Sequence, residues 1–181
     1  MTDDSPGVGG DAEHTDDSST STADLTHTDA AGEAQMVDVG DKPDTARRAV
    51  ARGTIRLQES TVAAVRDDGI EKGDVLATAR IGAVRAVKHT WETIPLCHQI
   101  PITNVETTFD VGDDQITLTV AVETTGKTGC EMEAIEGVTT GLNTVLDMVK
   151  AAEKNDDGQY PTLEIGDVRV VEKRKRLLDD D

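Results

Sequence analysis

The strongest constraint on the fold lies between residues 101 and 124. Residues 101–111, PITNVETTFDV, and 115–124, QITLTVAVET, both alternate apolar with polar side chains. That is the period of a half-buried strand. Gly112-Asp113-Asp114 joins them, a connection short enough to require a hairpin. An antiparallel pair with one apolar face needs a cover, and the flanking segments supply it at a different period. In GDVLATARIGAVRAVKHTWETIP, Val75, Ala79, Ala83, Ala86 and Val87 recur at helical spacing. With Asp74 as the cap and Pro95 beyond the end, this spacing predicts a helix over 74–92. Ile135, Val138, Leu142, Val145, Met148 and Val149 form the apolar side of a second helix, expected from 129 to 154. Ser60 as an N-cap and Gly69 as a stop predict a short helix over 60–68. Residues 48–57 and 163–172 read as two further strands.

The resulting order is β-α-α-β-β-α-β. It predicts an α+β fold: a ferredoxin-like βαββαβ sandwich with an extra short helix, its helices on one face of an antiparallel sheet. Trp91, Phe109 and Tyr160 are the only aromatic residues, so the core must be built from Val, Ile, Leu and Ala. The same scarcity leaves no stacking platform for bases and little to cover the open sheet face, where pairing between subunits is expected.

Residues 1–41 contain eleven Asp or Glu and no Lys or Arg. Such a stretch cannot bury enough apolar surface to offset the entropy of ordering. The expected organisation is a disordered acidic tail over 1–24 and one domain over 25–176. The net charge of −18 argues against nonspecific binding to nucleic acid or an anionic membrane. An acidic surface is also what a protein of a very salty cytoplasm carries; an acidic tail on an ordinary protein is the other reading. No apolar run approaches a membrane span, and the N-terminus lacks the basic and apolar regions of a signal peptide. Two cysteines, Cys97 and Cys130, suit a reducing compartment. A cytoplasmic protein is expected.

Four stretches carry chemistry. In TTGKTGCEME, Gly126-Lys127-Thr128 looks like the end of a phosphate-binding loop. Such a loop needs a glycine five residues before the Gly-Lys pair, and that position is Ala121 within a strand. The nucleotide-loop reading fails. What remains is a tight turn into a helix start, which offers free N–H groups to an anion. Glu131 and Glu133 there would, on the plainer reading, complement the helix dipole. In IPLCHQIPI, Cys97 and His98 sit in a proline-bounded turn. Histidine can move a proton or hold a phosphate, or be a solvated loop residue. Adjacent Cys and His poorly ligand one ion, and no metal is expected. Lys72 precedes a glycine at a helix start, in reach of an anionic ligand or simply at the surface. Asp147 and Lys150 are neighbours on one helix face, able to form an ordinary ion pair.

Glu133 and Asp147 also share a helix face, but fourteen residues separate them by ~21 Å along the axis. That is too far for both to act on one reacting atom, so a shared site requires a second subunit. Lys72 and Asp147 on different subunits is the first division to consider.

Together these stretches resemble the cyclic pyranopterin monophosphate synthase family, the second enzyme of molybdenum cofactor biosynthesis. The likeness begins at LTHTDAAGEAQMVDVGDK (25–42) and runs through KGDVLATARIGAVRAVKHTWETIPLCH (72–98). It continues in TGKTGCEMEAIEGV (125–138), VLDMVKAAEK (145–154) and GDVRVVEK (166–173). The resemblance implies a lyase. Its reaction converts (8S)-3′,8-cyclo-7,8-dihydroguanosine 5′-triphosphate to cyclic pyranopterin monophosphate and releases pyrophosphate. It implies no cofactor, and a homohexamer, a trimer of dimers with shared active sites. By resemblance, Asp147, Lys72 and Lys150 are catalytic, and Leu96, Cys97, His98, Glu131, Met132 and Glu133 bind substrate. Gln99 stands where many members have proline, and the C-terminus, EKRKRLLDDD, lacks a glycine-rich tail. Lys173 is left unassigned for that reason. The rival readings are a non-catalytic ferredoxin-like module binding a phosphorylated nucleotide or pterin, a nucleotide hydrolase, and a plain interaction protein.

Overall fold

In the computed structural model, residues 32–178 are described; the expected tail over 1–24 lies outside them. From Met36 onward the chain forms one unit. Its elements are β1 (Thr45–Arg56), α1 (Glu59–Arg66), α2 (Val75–Thr93), β2 (Ile102–Val111), β3 (Gln115–Gly126), α3 (Glu131–Glu153) and β4 (Glu164–Leu177). The sheet order is β2-β3-β1-β4, with every neighbouring pair antiparallel. This is the expected α+β sandwich, with α1 as the extra short helix. No described helix is long and apolar enough to cross a membrane.

Two boundaries differ from expectation. Helix α1 starts at Glu59 with Gln58 as its N-cap and no side-chain cap bond, so Ser60 does not cap it. Strands β1 and β4 both extend beyond their apolar alternation. Thr45 to Arg48 pair with Leu177 to Arg174, where the sequence is strongly charged. Backbone pairing, rather than burial, prolongs this ribbon, and periodicity does not report it. Asp74 does cap α2, accepting the Ala77 N–H at 2.9 Å.

The core is aliphatic, as the scarcity of aromatics requires. Ala49, Ala51 and Ile55 of β1, with Ile116, Leu118, Val120 and Val122 of β3, face Val75, Ala79, Ala83 and Val87 of α2 and Val138, Leu142 and Val145 of α3. Ile135 and Ala86 are only partly buried. Two glycines let α3 lie this close to α2 and the sheet. A Cβ at Gly137 would stand 2.8 Å from Val87 Cγ2 and 3.1 Å from Val120 Cγ1, and one at Gly141 would overlap Leu118. The opposite sheet face is polar. Arg48 sits among Glu123 at 3.1 Å, Glu106 at 3.5 Å and Glu172 at 3.5 Å, which ties all four strands together through one guanidinium.

Candidate active site

Helix α3 carries chemistry at both ends. At its C-terminal half, Asp147 lies between two lysines. The Lys150 Nζ is 2.8 Å from Asp147 Oδ1. Lys72, in the loop from α1 to α2, donates to Asp147 Oδ2 at 3.0 Å and to the Asp147 carbonyl at 2.5 Å. The loop can present Lys72 here because Gly73 takes φ +98°, a conformation that a side chain would strain. The hydrogen bonds from Lys150 and then Lys72 hold the Asp147 carboxyl below its ordinary value, and Asp147 in turn raises Lys150. All three side chains remain open to solvent. The carboxylate is thus kept ionised and fixes two ammonium groups side by side, with a net positive charge to offer an anion. Asn143, Tyr160 and Leu163 border the same cleft.

The N-terminal end is built the opposite way. Glu133, in the first turn of α3, is only 4 % exposed. Burial pushes its pKa up to about 7; its own backbone N–H opposes this and the charge of Glu131 adds to it. Here a helix start that should favour a carboxylate is overruled by desolvation. The Cys97 thiol is raised by burial and by the charge of Glu133, which places the IPLCHQ turn beside α3. Cys130, buried against Glu131 and Glu133, is pushed to about 11 while its Sγ donates to the Val122 carbonyl at 3.3 Å. Both thiols therefore stay protonated near neutrality. Glu131 pairs with Lys173 of β4. Leu96 and Met132 expose their apolar side chains.

The turn between β3 and α3 is pinned rather than free. Arg47 donates to the carbonyls of Gly126 at 3.2 Å and Lys127 at 3.1 Å. Lys127 Nζ donates to the Gly40 carbonyl at 2.5 Å, which makes it a brace for the loop. His98 borders a cleft with Pro101, Thr125, Gly126 and Lys127.

The structure brings Lys72, Asp147 and Lys150 into direct contact within one chain. Lys72 therefore reaches Asp147 without a second subunit. Cys97, Glu131 and Glu133 gather at the other end of α3. Lys173, left aside in the sequence, lies there too. It is opposite Ala49 in the extended β1–β4 ribbon.

The fold and its two charged centres define a class: an α+β protein with an exposed cationic cluster able to hold an anion and a buried carboxyl able to exchange a proton near neutrality. The chain belongs to the MoaC family, whose model matches residues 36–176. A relative from Halobacterium salinarum, named probable cyclic pyranopterin monophosphate synthase, is 76% identical over 151 residues, covering 83% of this chain and 93% of the relative. One of the same name from Natronomonas pharaonis is 70% identical over 156 residues, covering 86% and 98%. A third, from Methanothermobacter thermautotrophicus, is named probable cyclic pyranopterin monophosphate synthase accessory protein. It is 55% identical over 154 residues, covering 85% and 96%.

Proposed function

We propose that the protein converts (8S)-3′,8-cyclo-7,8-dihydroguanosine 5′-triphosphate to cyclic pyranopterin monophosphate, with release of pyrophosphate, in molybdenum cofactor biosynthesis. The observation that carries the reading is the Lys72–Asp147–Lys150 cluster in a chain of this family. Forming a cyclic phosphate requires a substrate hydroxyl oxygen to attack the α-phosphorus while pyrophosphate leaves. Lys72 and Lys150 neutralise the charge that develops on the departing oxygens. Asp147 keeps both ammonium groups in place. Glu133, which titrates near neutrality, accepts and returns protons during ring opening and closure. His98, Cys97, Leu96, Glu131 and Met132 bound the pterin end of the site, and the Glu131–Lys173 pair sets the charge there.

The ~21 Å between Glu133 and Asp147 is met by two subunits. One contributes the C-terminal cluster of α3 and its partner contributes the N-terminal cluster. A homohexamer, arranged as a trimer of dimers, supplies such interfaces, and the open sheet face is available for pairing. The acidic segment 1–24 is dispensable in this reading, with the catalytic domain spanning 25–176; deleting 1–24 should leave turnover intact. The decisive assay incubates the purified protein with the cyclised guanosine triphosphate and measures a pterin product and pyrophosphate. Binding without turnover would favour a ligand-binding module instead.

A further inference from the structure

Glu153, the last residue of α3, has no solvent exposure. A buried carboxylate is costly unless hydrogen bonds hold it. Its Oε1 accepts the backbone N–H of Gln58 at 2.9 Å, and Gln58 is the N-cap of α1. In a capping box, an acid three residues into the helix reaches back to this N–H. Helix α1 has Thr61 at that place, with a buried hydroxyl that lacks a hydrogen-bond partner among the described residues. Glu153 supplies the missing acid from another helix, 95 positions away in the chain. Its Oε2 is buried with no hydrogen-bond partner among the described residues, so the Gln58 N–H is the bond that holds this carboxyl.

Segment 58–72 is therefore fastened to α3 at both ends. Glu153 holds its start. Its end is Lys72, which donates to Asp147. The two anchor points on α3 are six residues apart, ~9 Å along the axis. Between the anchors, α1 packs through buried Val62 and Val65, so a displacement at its N-cap is carried towards Lys72.

We propose that Glu153 is a positioning residue: by capping α1 from α3, it sets where the Lys72 ammonium meets the Asp147 carboxylate. Its effect on turnover rests on the reading that this pair belongs to the active site. Its effect on geometry does not.

Competitive amine labelling of the intact protein, read by mass spectrometry, tests the geometry directly. In Glu153→Ala, labelling of Lys72 should rise several-fold, towards its rate in Asp147→Asn, while exposed Lys88 of α2 stays unchanged. A core variant such as Val138→Ala, compared at an equal distance below its Tm, should leave Lys72 as in the wild type. Turnover of Glu153→Ala should fall tenfold or more, and the double variant with Lys72→Ala should be no slower than Lys72→Ala alone. Unchanged Lys72 labelling, or losses that multiply in the double variant, overturns the proposal. Absence of turnover in the wild type would defeat the functional reading and leave the labelling result to decide this one. If Glu153→Ala does not fold, Gln58→Pro combined with Glu153→Met removes donor and acceptor together. Gln58 has φ −65°, the value proline adopts. Lys72 must become more reactive in that variant too, or the proposal fails.

Discussion

The two ends of α3 hold the same functional group in opposite conditions. Asp147 is exposed and paired with two lysines, and its carboxyl is held below the ordinary range. Glu133 is buried beside another acid, and its carboxyl is raised to about 7. Pairing keeps one carboxylate ionised, whereas desolvation brings the titration of the other to near neutral pH. The difference teaches that two acids fourteen residues apart on one helix face can take distinct roles with no change in their chemistry. Only their neighbours differ.

The comparison breaks first at turnover. Asp147→Asn keeps the side-chain size but releases both lysines, and kcat should fall roughly a hundredfold, the usual scale for loss of a proton-transfer or charge-orienting group. Substrate affinity should change little, because the cations remain. Lys72→Ala and Lys150→Ala remove those cations, so their losses should appear in binding as well. Near wild-type kcat in a folded Asp147→Asn protein would reduce the cluster to a surface ion pair.

Mixing variants sharpens it next. Asp147→Asn and Glu133→Gln chains, each nearly inactive, should recover roughly a quarter of wild-type activity when refolded together. Random pairing leaves a quarter of shared sites intact. Lys72→Ala mixed with Asp147→Asn should recover nothing, since those residues meet within the same chain. The reverse pattern in a steady-state assay would refute the division.

The pH profile comes third. An inflection in kcat near pH 7 should be present in the wild type and absent in Glu133→Gln, and its survival in that variant would assign the proton to another group. The smallest effect is on stability, where the two carboxylates have opposite signs. Glu133 has a folded-state pKa of about 7 against 4.5 when unperturbed. The folded protein therefore binds more protons between those values and loses stability as pH rises through that window. The loss is on the order of 3 kcal/mol. Glu133→Gln should flatten the denaturation midpoint over that range. Asp147, with its pKa lowered, adds stability above its unperturbed pKa and loses it as pH falls through the folded value. Denaturant titrations of the two variants against pH read both slopes.

Much of this architecture was legible because it rests on local periods. The β2–β3 hairpin, the Asp74 cap and the apolar sides of α2 and α3 each follow from residues close together in the chain. The Asp147–Lys150 pair was legible from its spacing on one helix face, whereas Lys72, first expected on a different subunit from Asp147, instead meets it within the chain. The expected Ser60 cap was wrong because α1 takes its acid from Glu153, far along the chain. Lys173 went unassigned because the C-terminal stretch departs from its relatives; the pairing of β4 with β1 and the contact with Glu131 place it.

The sequence by itself determined which segments are helix and strand, the aliphatic makeup of the core, and a spacing too long for Glu133 and Asp147 to share a reacting atom. These depend on side-chain order within a few turns or on the fixed rise of a helix. Only the tertiary structure decided that Lys72 and Asp147 touch, that Lys127 braces a loop, and that Glu133 rather than Asp147 titrates near neutrality. Those properties depend on which groups from distant segments come within a few ångströms, and on how much water is removed when they do.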